Sequence, residues 1–302
     1  MESKRDRFQE ITDTLIQALE SGNIVWRKPW KGLFPSNAIS GKKYRGINPW
    51  LLALFGAQYA DHRWLTFKQA LDAGGNVRRG EKGRTVVFWD FIVKKDENDK
   101  IVQKFPLLKA YTVFNVEQCE NLSEKKVKPL AEFMKENPDL NPLEEAERII
   151  REFPNAPVIQ FGTERACYSP SLDTVTMPRR ELFVGNNEYY CTFFHELIHS
   201  TGHEKRLDRK FGTNFLGADE DYSKEELVAE FGATMLMTEA GLEPPINNSA
   251  AYINGWLMAL RNDKKMAVAA AGQAQVAAEY ILGNGTNIQN VAEEEAEVLA
   301  VA

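Results

Sequence analysis

Phe8, Ile11, Leu15, Ile16 and Leu19 recur on one face of a 3.6-residue period, so the spacing predicts an amphipathic helix over 4–20, stopped by Ser21-Gly22. The period is then lost. Residues 26–50 (WRKPWKGLFPSNAISGKKYRGINPW) interleave aromatics, bases, glycines and prolines, and read as loop. Thr66 and Gln69 stand at capping-box spacing and open a short helix that Gly74-Gly75 closes. After the basic turn VRRGEKGR come two apolar runs, TVVFWDFIV and LLKAYTVFNV, separated by KKDENDK; they predict strands of one small sheet. Residues 119–142 are charged, proline-marked and aperiodic. Beyond them the pattern predicts helices over 143–152, 187–202, 223–240, 249–261 and 264–282, with short strands at VIQF, ACYS and DTVTMP. The end of the chain after Gly283 predicts a frayed tail.

This order predicts an α+β fold in two domains, 1–125 and 143–283, joined by a linker over 126–142 and followed by a flexible tail over 284–302. The chain has 302 residues, 43% hydrophobic and 26% charged, which excludes a disordered or fibrous class and suits two cores. A net charge of −6 argues at first sight against nucleic acid. The distribution reverses that inference. Residues 1–130 hold 23 Lys and Arg against 15 Asp and Glu, a net of +8; the rest hold 14 against 28, a net of −14. Three cysteines without CxxC spacing indicate neither a disulfide framework nor a thiolate zinc site. The N-terminus has no apolar signal core and no run is long enough to cross a membrane, so a cytoplasmic location without membrane partners is expected.

Three of the four histidines fall within nine residues, in TFFHELIHSTGH. Four apart on a helix, His195 and His199 share a face and can reach one metal, with Glu196 beside them. Zn2+ suits such a set, and another divalent metal such as Mn2+ is the alternative. A metal at this position acidifies a bound water, and Glu196 is the catalytic carboxylate that takes its proton. Residue 205 is lysine, so the metzincin third histidine is missing. His203 follows a glycine that ends the helix and is expected to support the site or contact substrate. The third ligand is sought in SKEELVAEFGATMLM, where Glu226 and Glu230 share one helix face. An acid pair of this spacing after HExxH is similar to gluzincins, which assigns Glu226 to the metal and Glu230 to the support of a ligand histidine. Ser223 with Glu226 also fits a capping box, which would leave Glu230 as the ligand. Tyr222 is a candidate electrophile. The DTVTMP strand is read either as an edge that pairs with an extended peptide or as ordinary core. Cys191 reads as a small buried apolar residue.

Between Ser21 and Lys95 lie 14 Lys and Arg but four acids, together with five of the six tryptophans. Single-stranded nucleic acid is held by such a combination of cationic groove and aromatic faces. The candidate DNA-binding residues are Trp26, Lys28, Trp30, Lys42, Lys43, Tyr44, Arg45, Arg78, Arg79, Lys82 and Arg84.

The segments WRKPW, PSNAISGKKYRGINPW, WLTFKQALDAGGNVRRGEKG, SLDTVTMP, FHELIHSTGH and EELVAEFGA resemble, taken together, the plasmid-borne ArdC antirestriction family over nearly the whole chain to about residue 282. The resemblance implies an N-terminal single-stranded-DNA-binding domain and a C-terminal zincin-like metallopeptidase domain. It implies that His195, His199 and Glu226 bind metal, that Glu196 is catalytic, and that the protein protects incoming plasmid DNA from restriction during conjugation. A host protein is then the expected peptidase substrate. The competing expectations are a module that protects DNA by occlusion alone and a metal-dependent nuclease.

Overall fold

The computed structural model of the chain describes residues 6–21, 34–95, 101–136, 141–209, 220–245 and 250–284. By their contacts these fall into two units: the chain from β1 (Ser36–Asn37) to α4 (Leu130–Glu136), and helix α1 (Arg7–Glu20) together with everything from α5 (Pro142–Glu152) onward. The expected first domain, 1–125, included α1. In the structure its apolar face of Ile11, Leu15, Ala18 and Leu19 is buried in the second unit, where Thr12 Oγ1 donates to the Lys264 carbonyl at 2.8 Å and Lys264 pairs with the N-cap Asp6 at 2.5 Å.

The β1–α4 unit is built on a four-stranded sheet of order β1-β2-β5-β4, in which β2 (Arg63–Thr66) pairs parallel with β1 and antiparallel with β5 (Ile101–Asn115). β4 (Arg84–Lys95) and β5 form the long hairpin that the two apolar runs predicted. β3 (Asn76–Val77) and β6 (Cys119–Glu120) make a second, two-stranded sheet. Helix α2 (Asn48–Gly56) starts in the last three residues of the stretch read as loop and runs on beyond it: Pro49 occupies its first turn, where no amide is needed, and the apolar run WLLALF follows. Asn48 closes the outer edge of β4, its amide donating to the Val87 carbonyl at 2.7 Å and its oxygen accepting from the Val87 amide at 2.8 Å. Tyr44, Leu52, Trp64, Val86, Phe88 and Val113 form the core. Helix α3 (Phe67–Asp72) carries the expected Thr66–Gln69 capping box. Helix α4 falls inside the stretch read as linker. Its Phe133 lies under the Arg63 guanidinium at 4.7 Å, and Arg63 is buried against Asp61 at 2.6 Å.

The other unit stacks helices on a three-stranded sheet of order β7-β9-β8, comprising Val158–Phe161, Thr174–Met177 and Cys167–Ser169 respectively. β9, the DTVTMP strand, is central, parallel to β7 and antiparallel to β8, with Val175 and Met177 buried. The expectation that it forms a peptide-pairing edge is therefore corrected: both of its edges are occupied by neighbouring strands. Helix α6 (Asn186–Thr201) lies against β8 and β9 and packs on α7 (Glu220–Glu239) and α9 (Met266–Ile281); α8 (Ala250–Asn262) carries α1. The alanine-rich α9 buries Ala267, Ala270, Ala271, Ala274, Ala277 and Ala278, small side chains that bring it close to its neighbours. At Gly232 of α7 an added Cβ would lie 2.5 Å from Ile198 Cδ1, so only glycine allows α7 this near to α6. Among the described residues no helix is long and apolar enough to cross a membrane.

Candidate metal centre

The two central turns of α6 bury Phe193, Phe194, Leu197 and Ile198, which leaves His195, Glu196 and His199 on the face turned to α7 and β8. His195 Nε2 and His199 Nε2 stand 3.0 Å apart. Glu226 of α7 bridges them, Oε2 at 3.5 Å from His195 Nε2 and Oε1 at 3.4 Å from His199 Nε2. Among the described residues these three are the group whose donor atoms lie within 4.8 Å of one another. The outer nitrogens are backed by further carboxylates: His199 Nδ1 lies 3.4 Å from Glu225 Oε1, and His195 Nδ1 lies 3.8 Å from Glu230 Oε1. Arg209 holds Glu225 at 2.7 Å and also donates to Thr201 Oγ1 at 2.6 Å and the Ile198 carbonyl at 2.9 Å, so it ties the two helices together.

The electrostatics follow from this packing. Burial disfavours a charged His199, but Glu225 and Glu226 outweigh it and push the imidazole up to about 10. His195 is likewise raised, burial opposing and Glu226 prevailing. Burial would raise Glu226, yet the two imidazoles hold it well below the ordinary carboxylate range. Glu225 is lowered against its own burial by His199 and Arg209. Two converging imidazole nitrogens and a carboxylate oxygen, all half-buried, form a donor set that fits a divalent cation, with the Glu225 carboxylate within hydrogen-bond reach of the outer nitrogen of His199.

Glu196 turns to β8, where its Oε2 accepts the Tyr168 amide at 2.8 Å. That strand end is locked by Asp173, whose left-handed backbone (φ 48°) follows the turn. Asp173 accepts the Tyr168 hydroxyl at 3.0 Å and pairs with Arg206, which also reaches the carbonyls of Ser200 at 2.7 Å and Asn155 at 2.9 Å. Burial would raise Asp173, but Arg206 and the Tyr168 hydroxyl lower it. His203 belongs to this cluster, with Nδ1 at 4.0 Å from Asp173 and accepting the Lys205 amide at 3.2 Å. It stands apart from the three metal donors. Cys191 is half-buried, and all three cysteines are free thiols. Tyr222 lies in the first turn of α7, with its side chain outside the described residues. Glu225, Arg209, Tyr168, Asp173 and Arg206 escaped the sequence reading. Glu225 adjoins Glu226 in sequence, but no period marks which carboxylate faces α6.

Of the candidate DNA-binding residues, Trp26, Lys28 and Trp30 lie outside the described residues. Lys42, Lys43, Arg78, Arg79 and Lys82 are exposed, while Arg84 is half-buried over the Phe55 ring at 4.4 Å. Tyr44 is 6% exposed and sits in the core, where burial pushes its phenol up; it presents no face to a base, which corrects its expected role. Arg45 is half-buried beside it.

Residues 144–273 match the family model of zincin-like metallopeptidases, and residues 5–114 match that of the N-terminal domain of anti-restriction factor ArdC. Two DNA primase TraC proteins of Escherichia coli are each 34% identical over 93% of the chain, which spans 20% and 27% of their length. The uncharacterized protein y4eC of Sinorhizobium fredii is 31% identical, with 94% of each chain covered. The crystal structure of antirestriction protein ArdC from plasmid R388 in its metal-free form superposes with a TM-score of 0.73 at 38% identity, over 93% of this chain and 98% of the other. Its Mn(II)-bound form gives 0.74 at 37%, over 94% and 100%. Agreement in sequence, in both family models and in fold over almost the full length of both chains places this protein in the ArdC antirestriction family.

Proposed function

We propose that the chain is an antirestriction factor that binds single-stranded DNA through its β1–α4 unit and carries a zinc-dependent peptidase-type centre in the other, acting in the cytoplasm on incoming plasmid DNA during conjugation. The observation that carries this reading is the convergence of His195, His199 and Glu226 with Glu196 one residue along the same helix. These three residues would hold the cation. Zinc is the first choice and manganese the second, since the R388 relative is known in an Mn(II)-bound form. A divalent cation there supplies Lewis acidity toward water and a peptide carbonyl. Glu196 serves as the base that accepts a proton and returns it to the departing amine, held for that task by the Tyr168 amide. Glu225 and Glu230 orient the imidazoles, and Tyr222 is assigned as the electrophile. A host protein is the substrate. The DNA half rests on the basic composition of residues 21–95 and on the exposed Arg78, Arg79 and Lys82.

Metal analysis of the purified protein should find close to one equivalent, and close to none after His195→Ala with His199→Ala; equal content would sink the site. Glu196→Gln should keep the metal but abolish protection in a conjugation assay with a restricting recipient. Full protection by that variant would instead establish occlusion as the mechanism.

A further inference from the structure

With Tyr44 in the core, none of the assigned residues within the described part of the chain offers an aromatic face to the single-stranded DNA proposed above, and one is available elsewhere. Phe67 opens α3 and is 52% exposed, with Leu71 one turn on at 47% and Lys68 beside it in water. A phenylalanine at the start of a capped helix has its backbone fixed, and Phe67 leaves half of its surface in water. Its ring meets the Phe114 ring edge-on, centroids 6.4 Å apart at 62°, which fixes its orientation and leaves a flat face to solvent.

Phe114 in turn lies across Gly83, where an added Cβ would be 2.9 Å from Phe114 Cζ. Gly83 is the exit of the basic turn 78–82, and that turn is held to the short 3-10 turn Val116–Gln118 that follows β5. Gln118 accepts the Arg78 amide at 3.0 Å, and its own amide donates to Glu81 at 2.9 Å and to the Lys82 carbonyl at 3.2 Å. Glu81, the one acid of the turn, is taken by Arg78 and Gln118. Arg79 and Lys82 are exposed and have no carboxylate partner among the described residues. A fixed aromatic face is thus joined, through Phe114 and Gly83, to two uncompensated cations.

We propose that Phe67, mounted on Phe114, is the platform on which a base of single-stranded DNA stacks, while Arg79 and Lys82 hold the flanking phosphates. This rests on the DNA-binding reading given above. Stacking tolerates any base and adds to an electrostatic grip without changing its salt dependence.

The test is fluorescence anisotropy of the full chain with a labelled oligonucleotide of about fifteen thymidines at low salt, repeated with an abasic analogue of the same length. Phe67→Ala should weaken binding by at least about fivefold with an unchanged salt slope, and Phe67→Trp should restore it. The abasic analogue should bind the wild type more weakly than the thymidine strand, yet bind Phe67→Ala and wild type alike. Lys82→Ala should instead reduce the salt slope by about 0.7. If Phe67→Ala binds the thymidine strand as tightly as the wild type, the platform is elsewhere although the chain binds DNA. If the wild type binds neither strand, the DNA-binding reading itself falls, and this proposal with it. Because Phe67 is exposed, unchanged circular dichroism in its variants excludes misfolding as the cause.

Discussion

Glu225 and Glu230 face the outer nitrogens of the two imidazoles, Glu225 at 3.4 Å from His199 and Glu230 at 3.8 Å from His195, while each inner nitrogen faces Glu226. Glu225→Gln keeps an acceptor for Arg209 but removes the charge behind His199. Metal affinity, followed by competition with a chromophoric chelator, should fall about 10- to 100-fold with the fold retained. At the neighbouring cluster, Asp173 ionises more readily folded than unfolded, so its stabilisation is complete above the unfolded pKa of about 4 and is lost as pH falls through the lower folded value. Asp173→Asn tolerates the same left-handed backbone and should cost about 1–2 kcal/mol at neutral pH. The gap to wild type in thermal melts should close as pH drops below about 4 and through the lower folded value; a gap that stayed unchanged well below that pH would exclude the Asp173–Arg206 pair as its source. The histidine pair was legible in the sequence because a spacing of four fixes two side chains on one face whatever the helix packs against. Glu225 was not, because its role depends on how α7 is rotated about its axis. Tyr44 misled because a tyrosine among lysines and glycines has the same local signature in a binding loop as in a core.

That rotation is set between elements. Gly232 meets Ile198 where α7 crosses α6, six residues on from Glu226 and on the helix of His195 and His199. Gly232→Val would force the helices apart and carry Glu226 away from the imidazoles. We expect a loss of about 1–3 kcal/mol in stability and a larger proportional loss of metal affinity, read from melts with and without metal. A variant that lost stability but bound metal normally would show that the helix spacing does not set the site. The hairpin of β4 and β5 and the helices α5 to α9 were legible because their periods are long and uniform. Helix α2 was hidden by the proline that starts it, and α4 by the charges around it. The central position of β9 was hidden because a strand's alternation reports which face is buried and says nothing of how many neighbours it pairs with.

At the scale of the molecule, net charge is a poor guide because the two signs are segregated. DNA affinity should respond to salt as a strongly basic surface does, with log affinity falling linearly against log salt, despite the overall −6. A binding isotherm indifferent to salt would show that the excess of +8 in the first 130 residues is not what meets the strand. The charge division was readable from the sequence, but the placement of α1 was not: its apolar stripe states only that a partner exists, and two cores were on offer.

The burial of α1 in the unit of α5 to α9 makes the chain leave that unit once and return to it. The segment from β1 to α4 is in effect a guest inserted into a host, attached at both of its ends. One peptide bond cut between residues 137 and 140 would therefore not free the halves. The N-terminal piece would still carry α1, and Ile11, Leu15 and Leu19 would hold it on the C-terminal piece as a clasp. The two pieces, expressed separately, should find each other and purify together.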